Sequence, residues 1–230
     1  YPLHCKITKW NNVKSNANNV IVSLTTFPAR IDSVWITIET LLRQTYKPEK
    51  LILWLADTQF SSIEELPKKL VEQQNRGLEI RFCEDLRSHK KYYFSMQNYP
   101  NKIVITVDDD TFYPENLVED LLKAHQKYPD AICCNIGHLI TFDHDAVSPY
   151  ENWKSGADMS VMPTDILVPI GCEGVLYPPG SLHPDVFDKD KIRTLCPIAD
   201  DLWLKSMATM NGTKAFKVNP ISIDFVNLVS

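Results

Sequence analysis

The chain has 230 residues and a formal net charge of -5, with 44% hydrophobic and 23% charged residues. That balance argues against a disordered or fibrous protein and is enough for one full hydrophobic core. The acidic surplus and the lack of any dense Lys/Arg block argue against a nucleic-acid partner, and no apolar run reaches the roughly 20 residues that a membrane-spanning helix needs.

Residues 1–19 are polar, Asn-rich and without periodicity, and are expected to form a loosely attached leader ahead of one domain over 20–230. They contain no basic segment followed by an apolar one, so the chain is expected to be cytoplasmic; peripheral contact with the inner face of a membrane is compatible with this, and whatever precedes Tyr1 is left open. Residues 20–24 (VIVSL) read as a buried strand that opens into Thr25, Thr26, Phe27 and Pro28. Ile31, Val34, Trp35, Ile38, Leu41 and Leu42 then recur at helical spacing, with Lys47 and Pro48 expected to stop the helix. Residues 51–55 are a second strand, and Pro67 opens a helix that ends near Gly77. A third strand at 78–82, a short helix at 89–98, a fourth strand at 103–107, a helix from Pro114 to Lys127 and a strand at 131–135 follow. Alternation of this kind predicts an α/β fold, a mostly parallel central sheet with helices on both faces.

Beyond Ile136 the periodicity fades. Residues 141–163 read as a long functional loop carrying Tyr150 and Trp153, either sugar-stacking groups or anchors of a small satellite core. Gly171, Gly174 and Gly180 punctuate a Gly/Pro-rich stretch suited to close approach by a ligand or to a structural turn. An amphipathic helix at about 200–210, capped by Asn211 and Gly212, and a closing strand pair at 215–218 and 221–225 complete the expected fold. The six cysteines, with Cys133 and Cys134 adjacent, match neither a disulfide framework nor a zinc spacing, and are expected to be mostly buried free thiols.

The strongest chemical signal is the run Asp108, Asp109 and Asp110, placed directly after the strand at 103–107. Three adjacent carboxylates repel one another, and a cation relieves the cost; hard oxygen ligands suit Mg²⁺ or Mn²⁺. Open α/β sheets bind ligands beyond the carboxyl ends of their strands, where this run lies. The competing reading is a solvated acidic turn favoured by the dipole of the helix after Pro114. A second acidic pair, Asp200 and Asp201, opens the last helix, where capping and dipole effects also favour acids.

A strand ending in Asp-x-Asp about a hundred residues into an alternating α/β chain resembles the nucleotide-sugar glycosyltransferases of the GT-A fold, particularly family 2-like bacterial enzymes. The likeness covers residues 20 to about 217. It implies a nucleotide-binding half at about 20–113 and an acceptor half at about 114–230. It also implies a nucleotide-sugar donor, most simply a UDP-sugar, a saccharide or glycolipid acceptor, and a role in surface polysaccharide or glycan synthesis. By this resemblance Asp108 approaches the donor ribose with Asp109 beside it, and Asp110 holds Mn²⁺ or Mg²⁺. Thr25, Thr26 and Arg30 fall where the nucleoside and diphosphate are held, and Asp57 where an acidic residue pairs with the base. Asp201 matches the general base of inverting members, with Asp200 as its neighbour for orientation or acceptor binding. Lys90 and Lys91 are either charge for the diphosphate or an ordinary solvated pair. His183 is either a third metal ligand or a surface residue. The family's Gln-x-x-Arg-Trp element is absent after the second pair, where the chain runs LKSMA at 204–208, and this argues against processive polymer synthesis.

Two other enzyme classes share parts of this pattern. A haloacid dehalogenase-type phosphatase needs Thr or Val two residues after its second Asp, where this chain has Phe112, and carries its motif near the start of the chain. A sugar nucleotidyltransferase opens with a Gly-rich loop after its first strand, and residues 24–28 contain no glycine. A non-catalytic carbohydrate-binding or scaffold protein on the same fold would keep the sheet and lose the two acidic elements.

Overall fold

The computed structural model of the chain describes residues 15–155, 162–218 and 226–227. Its first part alternates strands and helices: β1 (Ser15–Thr25), α1 (Val34–Leu41), β2 (Tyr46–Ala56), α2 (Lys68–Glu72), β3 (Leu78–Cys83), α3 (Lys90–Asn98) and β4 (Ile103–Thr106). β5 (Thr111–Phe112), α4 (Leu117–Lys127), β6 (Ile132–Cys134) and β7 (Gly137–Leu139) follow. Next come the hairpin strands β8 (Phe142–Asp143) and β9 (Ala146–Val147), then β10 (Lys154–Ser155), β11 (Leu167–Pro169) and β12 (Val175–Tyr177). The chain finishes with α5 (Lys189–Leu195), α6 (Asp200–Met210), β13 (Ala215–Lys217) and β14 (Val226–Asn227).

Seven strands form the central sheet in the order β13-β6-β12-β4-β1-β2-β3. β1 pairs in parallel with β2 and β4, β2 with β3, and β6 with β13, whereas β12 runs antiparallel between β4 and β6. Period-two alternation sends side chains to opposite faces. Val20, Val22 and Leu24 of β1, with Leu51, Leu53 and Leu55 of β2, pack with Val34, Ile38 and Leu41 of α1 and Leu117 and Leu121 of α4. Ile21, Ile52, Trp54 and Val104 face the other way, against Phe94 and Met96 of α3. A third cluster joins Tyr92 and Tyr93 to Trp203, Leu204 and Met207 of α6. The mixed α/β sheet with helices on both faces matches the expectation, and among the described residues no helix is long and apolar enough to cross a membrane.

Several local expectations change. β1 begins at Ser15, so residues 15–19 extend the strand beside Tyr46, Lys47 and Pro48 instead of belonging to a leader; backbone pairing needs no apolar side chain. Residues 1–14 lie outside the described residues. Lys47 and Pro48 sit inside β2, not at a helix stop, next to a register shift between Ala17 and Ile21, where a missing N–H is tolerated. The helix expected from Pro67 to Gly77 is α2 followed by a 3-10 turn at Gln73–Arg76, closed by Gly77 in the left-handed region at φ 110°. The helix expected from Pro114 starts at Leu117.

The largest difference is β12, a central strand inside the stretch read as a Gly/Pro-rich loop. Its three residues are too few to show a period, and only partners on both sides make them a strand. The long loop after Ile140 carries β8, β9 and β10. β13 lies within the first of the two closing strands, while the second, 221–225, falls outside the described residues. Cys83, Cys133 and Cys134 are buried free thiols, and Cys172 and Cys196 are half-buried ones.

Ile105, fully buried in the sheet's middle strand β4, reports directly on the core. Ile105→Ala is expected to destabilise the fold by about 2–5 kcal/mol, read as a lower denaturant midpoint with unchanged slope.

Candidate active site

The carboxyl ends of β1 and β4, the turn after β3 and the start of α6 enclose a cleft of about 420 Å³, lined by Thr25, Thr26, Arg30, Lys90, Lys91, Asp108, Asp109, Asp200 and Asp201 among others. Its geometry follows from how α3 is seated. Ser23 of β1 donates to the carbonyl of Lys91 at 2.5 Å and meets Ser95 Oγ at 2.7 Å, which also accepts from Trp54 Nε1 at 2.8 Å. The first turn of α3 is thereby fixed against β1 and β2 with Lys91 aimed at the cleft.

Lys91 is the hub. Its side chain is 5% exposed, and its Nζ lies 2.7 Å from Asp108 Oδ1 and 2.9 Å from Asp200 Oδ2. Burial alone would lower its pKa, but the carboxylates of Asp108, Asp200 and Asp201 hold it well above the usual lysine range. Asp201 is fixed from the other side by the backbone N–H of Gly171, which donates to Oδ1 at 3.1 Å and Oδ2 at 3.2 Å. A Cβ at position 171 would stand 2.7 Å from Lys91 Nζ and 3.1 Å from Asp201 Oδ1, so only glycine lets this loop approach. Burial raises the Asp201 carboxyl to about 6, with Asp200 and Asp108 adding to the rise against Lys91 and the Gly171 N–H. The same lysine holds Asp200 below its ordinary value despite burial.

The acidic run is braced by α1. Thr37 donates to the carbonyl of Asp109 at 2.9 Å, and Thr40 Oγ1 accepts from the backbone N–H of Tyr113 at 3.2 Å. Tyr113, fully buried, accepts from the N–H of Asp108 and donates to the carbonyl of Cys172, each at 2.8 Å, tying the run to the Gly171 loop. Asp109 is turned inward, accepting from Thr26 at 2.5 Å and Arg30 Nη1 at 2.7 Å. Burial raises its pKa, with those two donors opposing. Arg30 also reaches Asp110 Oδ2 at 2.9 Å.

Five carboxylates thus gather around Arg30 and Lys91, while Asp85, Lys90 and Arg87 also line the cleft; of all these groups six are acidic and four basic. That surplus suits a divalent cation. Among the described residues no three His, Cys, Asp or Glu side chains form a ready-made metal cluster; Mg²⁺ or Mn²⁺ can be held by one or two carboxylates while phosphate and water complete the shell. Asp110 and Asp108, with side chains 20% and 32% exposed, are the residues that would hold it; Asp109 is committed to Thr26 and Arg30.

Asp110 is not part of the cleft lining and joins it through Arg30, and two other expected site residues are not brought here. Asp57 is exposed and outside the cleft lining, its N–H donating to Cys83 O at 2.9 Å. His183 caps the 3-10 turn at Pro184–Phe187, accepting from the N–H of Asp185. Its own N–H bonds to Met207 O, six residues along α6 from Asp201, or roughly 9 Å by helical rise. Lys90 lines the cleft but pairs with Asp85 at 2.7 Å. Tyr150 and Trp153 contact each other edge to face at 5.1 Å, and the Tyr150 hydroxyl meets His138 at 2.9 Å. The sequence reading missed Phe27, Gln59, Asp85, Arg87 and Ser88 as cleft residues. Asp85 follows β3 much as Asp57 follows β2, and that parallel could have pointed to it.

No family model matches the sequence, and no curated protein matches it. Solved structures do. Residues 1–349 of S. aureus TarS superpose with a TM-score of 0.53 at 11% identity, covering 84% of this chain and 56% of that one. The same protein in complex with UDP gives 0.53, 11%, 84% and 55%. The chain has a GT-A-like fold. It spans a little over half the length of that structure. The mannosyltransferase PcManGT from Pyrobaculum calidifontis, in complex with GDP-Man and Mn²⁺, matches at a TM-score of 0.39 and 14% identity over 50% of this chain and 34% of that one, too little to add weight.

Replacing Lys91 by Met leaves Asp108 and Asp200 facing each other without their cation. The expected loss of stability at neutral pH is about 3–5 kcal/mol by chemical denaturation. It should shrink as pH falls through the depressed pKa of Asp200, because protonation removes the stability that the native pair contributes above it.

Proposed function

We propose that the chain is a metal-dependent glycosyltransferase that moves a sugar from a nucleoside diphosphate donor to a hydroxyl of a saccharide or glycolipid acceptor, with inversion at the anomeric carbon. The observation that carries this reading is the convergence of Asp108 and Asp200, ninety-two positions apart, on the single buried ammonium of Lys91. Two acidic elements that are unrelated in sequence form one cleft, and the GT-A-like fold supports a transferase assignment.

When bound, Mn²⁺ or Mg²⁺ would supply positive charge to the donor diphosphate. Asp110 and Asp108 would hold it, while Arg30 keeps Asp109 and Asp110 oriented. Asp201 is the general base. Its carboxylate accepts the proton of the acceptor hydroxyl as that oxygen bonds to the anomeric carbon; the bond from that carbon to the phosphate oxygen breaks, and its electron pair leaves with the nucleoside diphosphate. The Gly171 N–H fixes the base's position, and its raised pKa makes it a stronger base than an exposed aspartate.

Transfer and donor hydrolysis with Mn²⁺ and a panel of nucleotide sugars test the reading. Asp110→Ala should lose metal-dependent donor binding by calorimetry, and equal binding by both proteins would remove the metal assignment. Asp201→Asn should keep donor affinity and lower kcat by about 10²–10⁴-fold. Because Asp201 must be ionised to accept a proton, native kcat/KM should rise with pH through about 6 and then level off. A rate flat from pH 5 to 8 would exclude this base.

A further inference from the structure

A separate cavity of about 300 Å³ shares no lining residue with the cleft. It is walled by Met96 and Tyr99 at the end of α3, Val104 of β4, Tyr177 of β12, and Ser181 and Phe187 beyond β12. Val104 and Tyr177 are register partners, and Val104 precedes Asp108 by four residues, roughly 13 Å of extended chain. The cavity therefore sits at the opposite end of β4 from the acidic run. Its walls are fixed by hydrogen bonds. The Ser181 N–H donates to the Pro178 carbonyl at 3.2 Å and closes a turn, which Asn211 Nδ2 ties to the end of α6 by donating to the Gly180 carbonyl at 3.0 Å. The 3-10 turn at Pro184–Phe187 is tied to α3 by the Tyr93 hydroxyl, which donates to the Phe187 carbonyl at 3.1 Å. Trp203 Nε1 of α6 donates to the Val186 carbonyl at 3.4 Å. A space bounded in this way is preformed, as ligand pockets usually are.

We propose that this cavity is a further ligand site, for a small uncharged ring compound whose one hydrogen-bonding group meets the hydroxyl of Ser181. Ser181 is 6% exposed, and its hydroxyl has no hydrogen-bond partner among the described residues. Native proteins leave few buried polar groups unpaired, because each forfeits its bonds to water. Around this hydroxyl the lining is apolar: Val104, Tyr177 and Val186 are buried, and Met96 and Phe187 are half-buried. Tyr99, Tyr177 and Phe187 supply aromatic surface against which a ring can pack. The volume is at the lower end of the range for ligand pockets, which suits a single ring better than an extended chain. Lys102, the charged residue of the lining, is already paired with Glu49 at 2.8 Å. A charged ligand would therefore lose its hydration without gaining a counter-ion. The site stands on its own geometry and does not depend on the transferase reading.

Methyl NMR of the whole chain, labelled at methionine, tests the site, because Met96 lines the cavity and a Met96→Leu variant identifies its signal. p-Cresol should shift the Met96 signal saturably and bind about three- to tenfold more tightly than toluene, the difference being the bond to Ser181. Benzoate, a ring of the same size with a charge, should leave the signal in place. Ser181→Ala removes a buried hydroxyl that has no partner, so it should fold with unchanged or higher stability and should erase or reverse the preference for p-cresol. The absence of a saturable shift at Met96, equal native affinities for p-cresol and toluene, or benzoate binding as tightly as p-cresol would overturn the proposal. So would a folded Ser181→Ala protein that keeps the native ratio, or one that fails to fold, since the hydroxyl would then have a structural task.

Discussion

The site depends on a charge held almost wholly out of water at the wall of the cleft. An ammonium group that is 5% exposed is tolerated because carboxylates from two distant stretches of chain surround it, and those carboxylates are tolerated near one another because the ammonium lies between them. Neither half of this arrangement is stable alone. The hydroxyls of Ser23 and Ser95 set where α3 begins, Gly171 leaves the space that the lysine occupies, and Tyr113 links the acidic run to the Gly171 loop. Each of these contacts holds a cleft wall to its neighbour, so the cleft's shape is a product of the same packing that fills the core.

The mutual dependence also divides labour among chemically identical side chains. Asp109 faces inward and acts as a brace for Arg30 and Thr26. Asp108 shares Lys91, and Asp110 keeps one oxygen away from Arg30. Asp200 is held ionised by close contact with the lysine, while Asp201, one residue on, is pushed toward the neutral form by burial and by its acidic neighbours. Environment assigns these roles, as it does wherever two like groups must serve as counter-ion and proton acceptor.

Much of the architecture was legible because the β1, β2 and β4 strands are apolar on both faces and the helices between them carry clear stripes. The acidic run was equally visible, since carboxylates directly after a buried strand have few inexpensive explanations. What sequence could not supply was pairing. β12 is three residues long and becomes a strand only through its two neighbours. Lys90 and Lys91 read equally as charge for a diphosphate or as a solvated pair; both are buried, and no local pattern shows that one meets Asp85 and the other Asp108 and Asp200. Asp57 and His183 were attractive as residue types at plausible places, but one points to solvent and the other caps its own turn. Asp85 sat unnoticed in a polar turn, yet it lines the cleft and pairs with the buried Lys90.

The position of β12 has an effect on how the molecule can be divided. A strand contributed by residues 175–177 is inserted between β4 and β6, so it completes a sheet whose other members lie mostly far earlier in the chain. A fragment ending before it would carry two open sheet edges in its middle, with unsatisfied backbone groups ready to pair with another chain. The portions before and after the acidic run are therefore unsuited to separate expression or to exchange between proteins as cassettes. Any nascent chain released before that strand emerges would be prone to associate with its own kind.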